Sequence, residues 1–204
     1  MSTQNRSTVF LIDDDDDLRK LVMFYLEVGE INVQQYGSAE EFLASYDPAQ
    51  PGCLLLDIYM PGMSGLELQQ ELLNREINTP VIIMTSRGDV PTAVQAMKAG
   101  AVDYIEKPLD RDQLLERIHE CLTIDSSRRE KNALHDKYSE YLRQLTPREY
   151  EVMELMVAGK MNKVIAADLD ISQRTVEDHR SKIMEKLQAK SIADVVRFYL
   201  LSQY

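Results

Sequence analysis

Short apolar runs alternate with longer amphipathic segments in the first part of the chain. The runs occupy residues 8–12, 31–35, 53–57, 81–84 and 102–105, and helical spacing of apolar positions follows each at 16–27, 39–46, 65–75, 91–99 and 111–122. Buried strands that alternate with one-faced helices are typical of a parallel sheet with right-handed crossovers. The pattern predicts an α/β, doubly wound (βα)5 domain.

After residue 122 the sequence pattern changes twice, first to a polar segment and then to a series of amphipathic helices. From Thr123 to about Gln144 the sequence is polar and lacks a sustained apolar face, which predicts an interdomain linker that is partly helical. Thr146, Pro147 and Glu149 then form a helix start with a capping box. Helices are expected from there to Gly159 and over 162–169, 172–187 and the segment after Ser191. The tail is therefore predicted to be all-α, with four helices.

Composition narrows the class of protein. The chain has 204 residues, 44% hydrophobic and 28% charged, which is ordinary for a globular protein of one or two domains. The first seven residues are polar, and no apolar run approaches the length of a membrane span. Cys53 and Cys121 are the two cysteines and lie in apolar segments. We expect a cytoplasmic protein without structural zinc and without a membrane partner.

The net charge of −11 is unevenly distributed along the chain. From Tyr141 to Tyr204 there are ten Lys or Arg and nine Asp or Glu, a net of +1, so the preceding residues carry −12. The acidity belongs to the first domain and does not exclude DNA binding by the second.

Polar side chains follow four of the predicted strands. Asp13 and Asp14 follow the first, Asp57 ends the third, Thr85 follows the fourth, and Lys107 comes just after the fifth. Parallel sheets of this type place their site beyond the carboxyl ends of the strands. Three acids, a hydroxyl and an ammonium in one pocket suit a divalent metal ion and a phosphoryl group.

The run of five aspartates admits other interpretations. Acids at a helix N-terminus are favoured by the helix dipole, which accounts for residues 15–17. An EF-hand loop fits Asp13, Asp15 and Asp17, but Leu18 stands where that loop needs glycine. A haloacid-dehalogenase type phosphatase motif matches Asp13 and Asp15 but has Asp17 in place of Thr or Val.

Taken together, the motifs of about the first 124 residues resemble the receiver domain of bacterial two-component response regulators. This family has a flavodoxin-like fold. The matching motifs are Asp13-Asp14, Leu56-Asp57 followed by Met60-Pro61-Gly62-Met63-Ser64-Gly65, Thr85-Ser86, Ala96-Met97-Lys98-Ala99-Gly100-Ala101 and Tyr104-Ile105-Glu106-Lys107-Pro108.

The resemblance implies a role for each matching residue. Asp57 is the expected phosphoacceptor, and a sensor histidine kinase is the expected donor. Mg²⁺ is the expected cofactor, held by Asp14 and Asp57, by Asp13 directly or through water, and by the Tyr59 carbonyl. Lys107 is expected to contact the phosphoryl oxygens.

The same resemblance implies a switch. Thr85 is expected to turn towards the phosphate and Tyr104 to move inward. A core hydroxyl and a sheet aromatic are the structural alternatives for these two side chains. The change is expected to repack helix 91–99 and the last strand and to promote a homodimer.

The third helix of the tail carries apolar residues at buried spacing and basic residues on its other face. By composition alone it is a solvated amphipathic helix. The pattern closely resembles the LuxR-type helix-turn-helix domain over roughly 143–204, and the two domains together resemble the FixJ branch of the NarL/FixJ response regulators. The motifs are Leu145-Thr146-Pro147-Arg148-Glu149, Asn162-Lys163-Val164-Ile165-Ala166, the run from Ser172 to Arg180, Ile183-Met184 and Lys186-Leu187.

By this likeness residues 172–187 form the recognition helix, which enters the major groove of DNA. The expected phosphate contacts are Lys163, Arg174, Arg180, Lys182 and Lys186. The residues expected near base edges are Thr175, Asp178, His179 and Ser181. Glu177 and Asp178 depart from the family pattern, in which lysine and an apolar residue are common, and His179 fits a bracing role equally well.

The sequence thus predicts a response regulator that is not an enzyme, with a receiver at 1–124, a linker at 125–142 and a DNA-binding domain at 143–204. Promoter DNA with an inverted repeat is the expected ligand, and RNA polymerase is a further partner. Two rival hypotheses remain: a metal-dependent phosphatase, which would turn over external phosphate esters, and a phosphorylation-controlled interaction protein that never binds DNA.

Overall fold

The computed structural model describes residues 7–85 and 90–203. Ser86 of the Thr85-Ser86 motif, most of the polar N-terminal segment and Tyr204 lie outside the described residues. The chain divides into two compact units, Met1–Ser127 and Arg128–Tyr204. The domain limits given above remain predictions.

The first unit contains a five-stranded parallel sheet in the order β2-β1-β3-β4-β5. The strands are β1 Thr8–Ile12, β2 Asn32–Tyr36, β3 Gly52–Asp57, β4 Val81–Thr85 and β5 Asp103–Glu106. The helices that follow them are α1 Asp16–Val28, α2 Ala39–Ser45, α3 Gly65–Asn74, α4 Val90–Lys98 and α5 Arg111–Arg143. This confirms the predicted α/β class.

Both faces of the sheet are covered, which explains the nearly continuous apolar character of its strands. Every residue of β1, β3 and β4 is buried. Phe10, Leu54 and Leu56 point into a cluster with residues of α2 and α3, whereas Leu11 and Leu55 point into a second cluster with α1 and α5. Central strands buried on both sides are what a doubly wound sheet requires.

The polar segment predicted as a linker is helical in the structure. Helix α5 continues to Arg143, well beyond the predicted end at residue 122. Tyr138 and Leu142, four residues apart, are buried, and Tyr138 and Tyr141 contact the Phe198 ring edge to face. Helix-favouring Glu, Lys, Arg and Ala residues cover the solvated positions of this segment, so its short apolar face was masked by the polar composition.

The second unit contains the four helices predicted for the tail, together with the end of α5. They are α6 Pro147–Val157, α7 Asn162–Asp168, α8 Gln173–Lys186 and α9 Ile192–Leu201. The capping box of Thr146 and Glu149 is present, with Pro147 in the first turn. Val152, Ile165, Val176, Ile183 and Val195 are fully buried and bring all four helices into one core.

Membrane-spanning character is lacking in the part of the chain that the structure describes. Among residues 7–85 and 90–203, no helix combines the length and the apolar character needed to cross a bilayer.

Candidate functional site

The predicted site residues of the receiver meet at the carboxyl ends of the central strands. Asp13 directly follows β1, Asp57 is the last residue of β3, and Thr85 is the last residue of β4. Lys107 follows β5, and its backbone N–H donates to the Thr85 carbonyl at 2.8 Å. Strands β1, β3 and β4 are neighbours, so one crevice receives all four side chains.

Three carboxylates form the acidic part of this pocket. One oxygen from each of Asp13, Asp14 and Asp57 lies within 4.8 Å of the others. Asp13 and Asp57 are buried, and Asp14 is exposed. Oxygen donors from carboxylates are the ligands that Mg²⁺ prefers, and an exposed third acid leaves room for the water ligands that this ion retains. The donor set therefore fits a magnesium ion.

Lys107 joins two of these acids. Its ammonium lies 2.7 Å from Asp13 Oδ2 and 2.9 Å from Asp57 Oδ1, and its side chain is only 17% exposed. Burial opposes the charged form, but the hydrogen bonds to Asp13 and Asp57 raise the pKa of Lys107 above its ordinary value. The peptide bond between Lys107 and Pro108 is cis. A fixed positive charge therefore faces the Asp57 carboxylate.

The environment of Asp57 disfavours its charged form. Burial raises the pKa of this carboxyl; the hydrogen bond and charge of Lys107 oppose the rise, and the charges of Asp13 and Asp14 add to it. One ammonium does not balance three acids, so a further cation would stabilise the ionised pocket.

Contacts outside the pocket hold the loop after Asp57. A side chain on Gly65 would come within 2.1 Å of the Asp57 carbonyl, so only glycine allows this approach of α3 to β3. Ser64 and Glu67 form a capping box at the start of α3. Glu40 on α2 accepts a hydrogen bond from the Met63 N–H at 3.0 Å.

That loop also carries Tyr59, whose carbonyl is a predicted metal ligand. The Tyr59 side chain is 49% exposed, two residues from the candidate phosphoacceptor. Sequence reasoning missed the role of Glu40 in fixing this loop, because the contact joins residues 23 positions apart.

The two switch candidates occupy different environments. Thr85 is 1% exposed at the end of β4. Tyr104 on β5 is half-buried, and its hydroxyl donates to Glu106 Oε1 at 2.8 Å beside solvent. The ring therefore has its hydroxyl at the surface, which is the starting position that the predicted inward movement requires.

The remaining aspartates of the acidic run belong to the start of α1. Asp15 is the N-cap residue, and its carboxylate accepts from the N–H groups of Asp17 and Leu18. These bonds lower the pKa of Asp15. Arg19, which sequence reasoning did not single out, donates to the Asp13 carbonyl and pairs with Asp16. This geometry agrees with a solvated helix N-terminus and not with an EF-hand loop.

In the second unit, all but one of the predicted DNA contacts lie on α8. Val176 and Ile183 are the residues that this helix buries. Arg174, Asp178, Ser181 and Lys182 are exposed, as is Lys163 on α7, whereas Thr175, His179 and Arg180 are half-buried. The exposed set includes three cations with free access to solvent, so the surface is chemically able to contact DNA phosphates.

Two of the predicted DNA contacts, Lys186 and His179, face other residues of the second unit with part of their side chains. The Lys186 ammonium lies 2.6 Å from Oε2 of Glu149, a residue that is only 3% exposed. Burial alone would raise the pKa of Glu149, but hydrogen bonds from Lys186 and Thr146 lower it. The Nδ1 atom of His179 is buried and has no hydrogen-bond partner among the described residues.

Comparison with known families assigns both units. Residues 9–119 match the response regulator receiver domain, and residues 143–199 match the luxR family of bacterial regulatory proteins. Receiver domains generally bind Mg²⁺ at an acidic pocket. The family of proteins that combines these two domains consists of transcriptional regulators, not enzymes.

Similar proteins extend the match to nearly the whole chain. The transcriptional regulatory protein FixJ of Rhizobium meliloti is 42% identical over 197 residues, which is 95% of this chain and 95% of that protein. Nodulation protein W of Bradyrhizobium diazoefficiens is 39% identical over 94% of this chain and 85% of its own length.

Solved structures agree. Response regulator StyR, 38% identical, superposes with a TM-score of 0.85 over 98% of this chain and 100% of that one. Full-length FixJ from B. japonicum, 36% identical, gives 0.60 over 99% and 98%. With a receiver unit, a LuxR-type unit and these relatives, the chain belongs to the NarL/FixJ family of two-component response regulators that regulate transcription.

Proposed function

We propose that a sensor histidine kinase phosphorylates this protein on Asp57 with Mg²⁺ as cofactor, and that phosphorylation promotes dimerisation and sequence-specific binding to DNA. The observation that carries the proposal is the position of Asp57: a buried carboxylate at a strand end, with Lys107 at 2.9 Å and two further acids beside it. Promoter binding would bring RNA polymerase as a further partner.

The pocket suits transfer of a phosphoryl group to a carboxylate. An Asp57 oxygen attacks the phosphorus of a phosphohistidine donor; a P–O bond forms, the P–N bond breaks, and its electron pair returns to the imidazole nitrogen. Lys107 is placed to hold a phosphoryl oxygen. Asp13, Asp14, Asp57 and the Tyr59 carbonyl would hold Mg²⁺, which offsets the charge of the transferred group.

Acetyl phosphate and intact-mass spectrometry test the site. We expect one phosphate adduct in the wild type with Mg²⁺, none in Asp57→Asn, and none in EDTA. Asp47→Asn, at an aspartate in the loop before β3, is the matched control and should label normally. Undiminished labelling of Asp57→Asn would refute the assignment, and undiminished labelling in EDTA would refute the metal requirement.

The proposed dimerisation follows from the switch residues. Thr85 ends β4 and Tyr104 lies on β5, which pairs with β4 and contacts α4. A phosphate at Asp57 would therefore act through these two strands on α4. Val94 and Met97 on α4 are 46% and 47% exposed and offer an apolar surface for a second copy. A ligand shifts such an equilibrium only by its differential affinity for the two states.

Analytical ultracentrifugation with and without beryllium fluoride, a phosphoryl mimic, measures this step. The wild type should shift from monomer to dimer, and Thr85→Ala should reduce the shift. Thr123→Ala, on the α5 surface, should behave as the wild type. A chain that stays monomeric with the mimic, or a dimer that is indifferent to Thr85→Ala, would contradict this part of the proposal.

The proposed DNA contacts are those on α7 and α8. Exposed Lys163, Arg174 and Lys182 support phosphate contacts, and exposed Asp178 and Ser181 support positions near bases. Lys186 is the least favoured of the set, because its charge is already paired with Glu149.

A further inference from the structure

Gln69 on α3 makes an unusual contact with the neighbouring helix. Its side-chain amide is buried, with 2% of the residue exposed. The Nε2 group donates to the backbone carbonyls of Ala96 at 3.1 Å and Ala99 at 3.0 Å. One side chain of α3 thus binds two carbonyl groups at the end of α4.

These carbonyls belong to the last turn of α4 and the residue after it. Gly100 has φ 87°, the left-handed conformation that ends many helices, and the Ala101 N–H donates to the Ala96 carbonyl at 3.1 Å. The Ala96 carbonyl therefore has a hydrogen-bond donor from the backbone in addition to Gln69. The end of α4 would be capped without Gln69, so capping alone does not explain the contact.

Stability does not explain it either. The Oε1 atom of Gln69 is buried and has no hydrogen-bond partner among the described residues. The modest net gain from two hydrogen bonds is offset by one buried acceptor without a partner. After replacement by an apolar side chain of the same length, the Ala96 carbonyl would keep its bond from Ala101, and the carbonyl of partly exposed Ala99 could bond to water, so we expect similar stability. What the amide adds is a fixed contact between the end of α4 and α3.

We propose that Gln69 is a positioning residue that holds the C-terminal end of α4, so that the change at Thr85 is transmitted to the exposed face of α4. This rests on the proposed function, in which Asp57 is phosphorylated and the α4 surface forms a dimer. A helix held at one end turns when the other end is displaced, whereas a helix free at both ends relaxes into many arrangements. Val94 lies before the held turn and so on the part that would move, whereas Met97 lies within the held turn, between Ala96 and Ala99.

The consequence is a coupling between phosphorylation and dimerisation that Gln69 strengthens. Without the contact, the unphosphorylated chain samples the dimerising arrangement more often, and the phosphorylated chain samples it less completely. The dimer dissociation constant without beryllium fluoride should therefore decrease, and the constant with beryllium fluoride should increase. Both changes lower the ratio of the first constant to the second. A residue with only a structural role would change the thermal midpoint and leave this ratio unchanged.

The test uses the full chain with Gln69→Met, which keeps the length of the side chain and removes the amide. With Mg²⁺, sedimentation should give a dissociation-constant ratio about tenfold smaller than in the wild type, within the usual range of allosteric couplings. Acetyl phosphate labelling of Asp57 should stay complete. Amide exchange at Ala101 should become faster, because the capped end of α4 opens more often when it is no longer held against α3.

Gln70→Met is the matched control, since Gln70 is exposed on the same helix and its side chain donates to Asn74 of that helix. Gln69→Leu repeats the test if Gln69→Met is poorly folded. An unchanged ratio in a folded, fully labelled Gln69 variant would overturn this inference alone. A wild type that takes no phosphate, or that does not dimerise with the mimic, would remove the proposed function and this coupling with it.

Discussion

Asp57, the proposed phosphoacceptor, is a buried carboxylate, and the burial of its charge acts against folding. Burial raises its pKa, with the charges of Asp13 and Asp14 adding to the effect and Lys107 opposing it. A group whose pKa is higher in the folded chain stabilises it below the ordinary pKa of 3.8 and loses that contribution as the pH rises through the raised value.

Replacement of Asp57 by Asn should therefore stabilise the metal-free chain at neutral pH. We expect the free energy of unfolding of Asp57→Asn in EDTA to exceed that of the wild type by on the order of 1 kcal/mol. Urea unfolding from pH 3.5 to pH 8 measures the difference, which should be small at the acidic end and grow with pH. An equal difference at every pH would show that the gain does not come from ionisation, and Asp47→Asn should show no gain.

The ion pair of Lys186 and Glu149 gives the opposite dependence of stability on pH. Hydrogen bonds from Lys186 and Thr146 outweigh burial and lower the pKa of Glu149, so its contribution is present above the ordinary value of 4.5 and is lost as the pH falls through the lowered value. The pair ties α6 to α8, so it stabilises the helix predicted to enter DNA before any DNA is bound.

Lys186→Met should destabilise the second unit by about 1–3 kcal/mol at neutral pH, because a nearly buried carboxylate loses its charged partner. Chemical denaturation followed by circular dichroism measures this loss, which should shrink on acidification towards pH 4. Lys182→Met, at an exposed lysine of the same helix, should have little effect on stability. If both variants are equally stable, the ion pair does not contribute to the fold.

At the residue scale, the sequence predicted a site residue where its polar side chain stands out from its neighbours, as at the end of an apolar strand. Asp13, Asp57, Thr85 and Lys107 are polar residues at strand ends, so topology alone indicated that they meet, and the structure brings them together. Their roles in phosphoryl transfer stay predictions. Gln69 gave no signal, because in sequence it is one more polar residue on an amphipathic helix and its partners are backbone carbonyls.

At the scale of elements, strands and helices of the first unit were predictable because hydrophobic periodicity is set by the layers they form. All five strands and the order of elements were confirmed. The continuation of α5 was not predicted. Between residues 123 and 143, the buried apolar residues of α5 are Tyr138 and Leu142, which are too few for a helical periodicity to be recognised.

The burial of Tyr138 and Leu142 predicts where a DNA-binding fragment must begin. A fragment of residues 128–204 keeps Leu142 in the core of the second unit and Tyr138 against the Phe198 ring, whereas a fragment of 143–204 loses both side chains. We expect the shorter fragment to be less stable by about 3–5 kcal/mol, from the apolar surface left exposed. Thermal unfolding by circular dichroism compares the two, and Tyr138→Ala in the longer fragment should account for part of the difference. Equal midpoints would mean that the end of α5 does not support this core.

At the scale of the whole molecule, charge is divided between an acidic receiver part and a nearly neutral tail. The tail carries a net charge of only +1, and Glu177 and Asp178 lie on its candidate recognition helix. A single copy should therefore bind DNA weakly. A dimer would make the second contact effectively intramolecular and raise avidity by roughly 10² or more, so we predict that dimerisation is the step that controls DNA binding.

The unphosphorylated receiver is also predicted to restrain the tail. Gel shifts should then show tighter DNA binding by fragment 128–204 than by the unphosphorylated full chain at the same salt concentration. Binding of the fragment that is no tighter than that of the full chain would contradict restraint, and a fragment that binds no DNA at low salt would contradict the DNA-binding proposal itself.

The operator of the phosphorylated dimer is predicted to be an inverted repeat with half-site centres about 10 base pairs apart, one turn of the double helix. Insertion of about five base pairs between the half-sites should abolish the avidity gain, because the two recognition helices would then face opposite sides of the duplex.

Arg180→Ala and Lys182→Ala should weaken binding to all sequences and each reduce the salt slope by about one, as expected for phosphate contacts, while Asp178→Ala should alter base preference. Arg197→Ala, at an exposed arginine on α9, is the control and should leave the slope unchanged. Fluorescence anisotropy on a selected operator measures these quantities over a salt series; binding that tolerates every half-site spacing would rule out the paired arrangement.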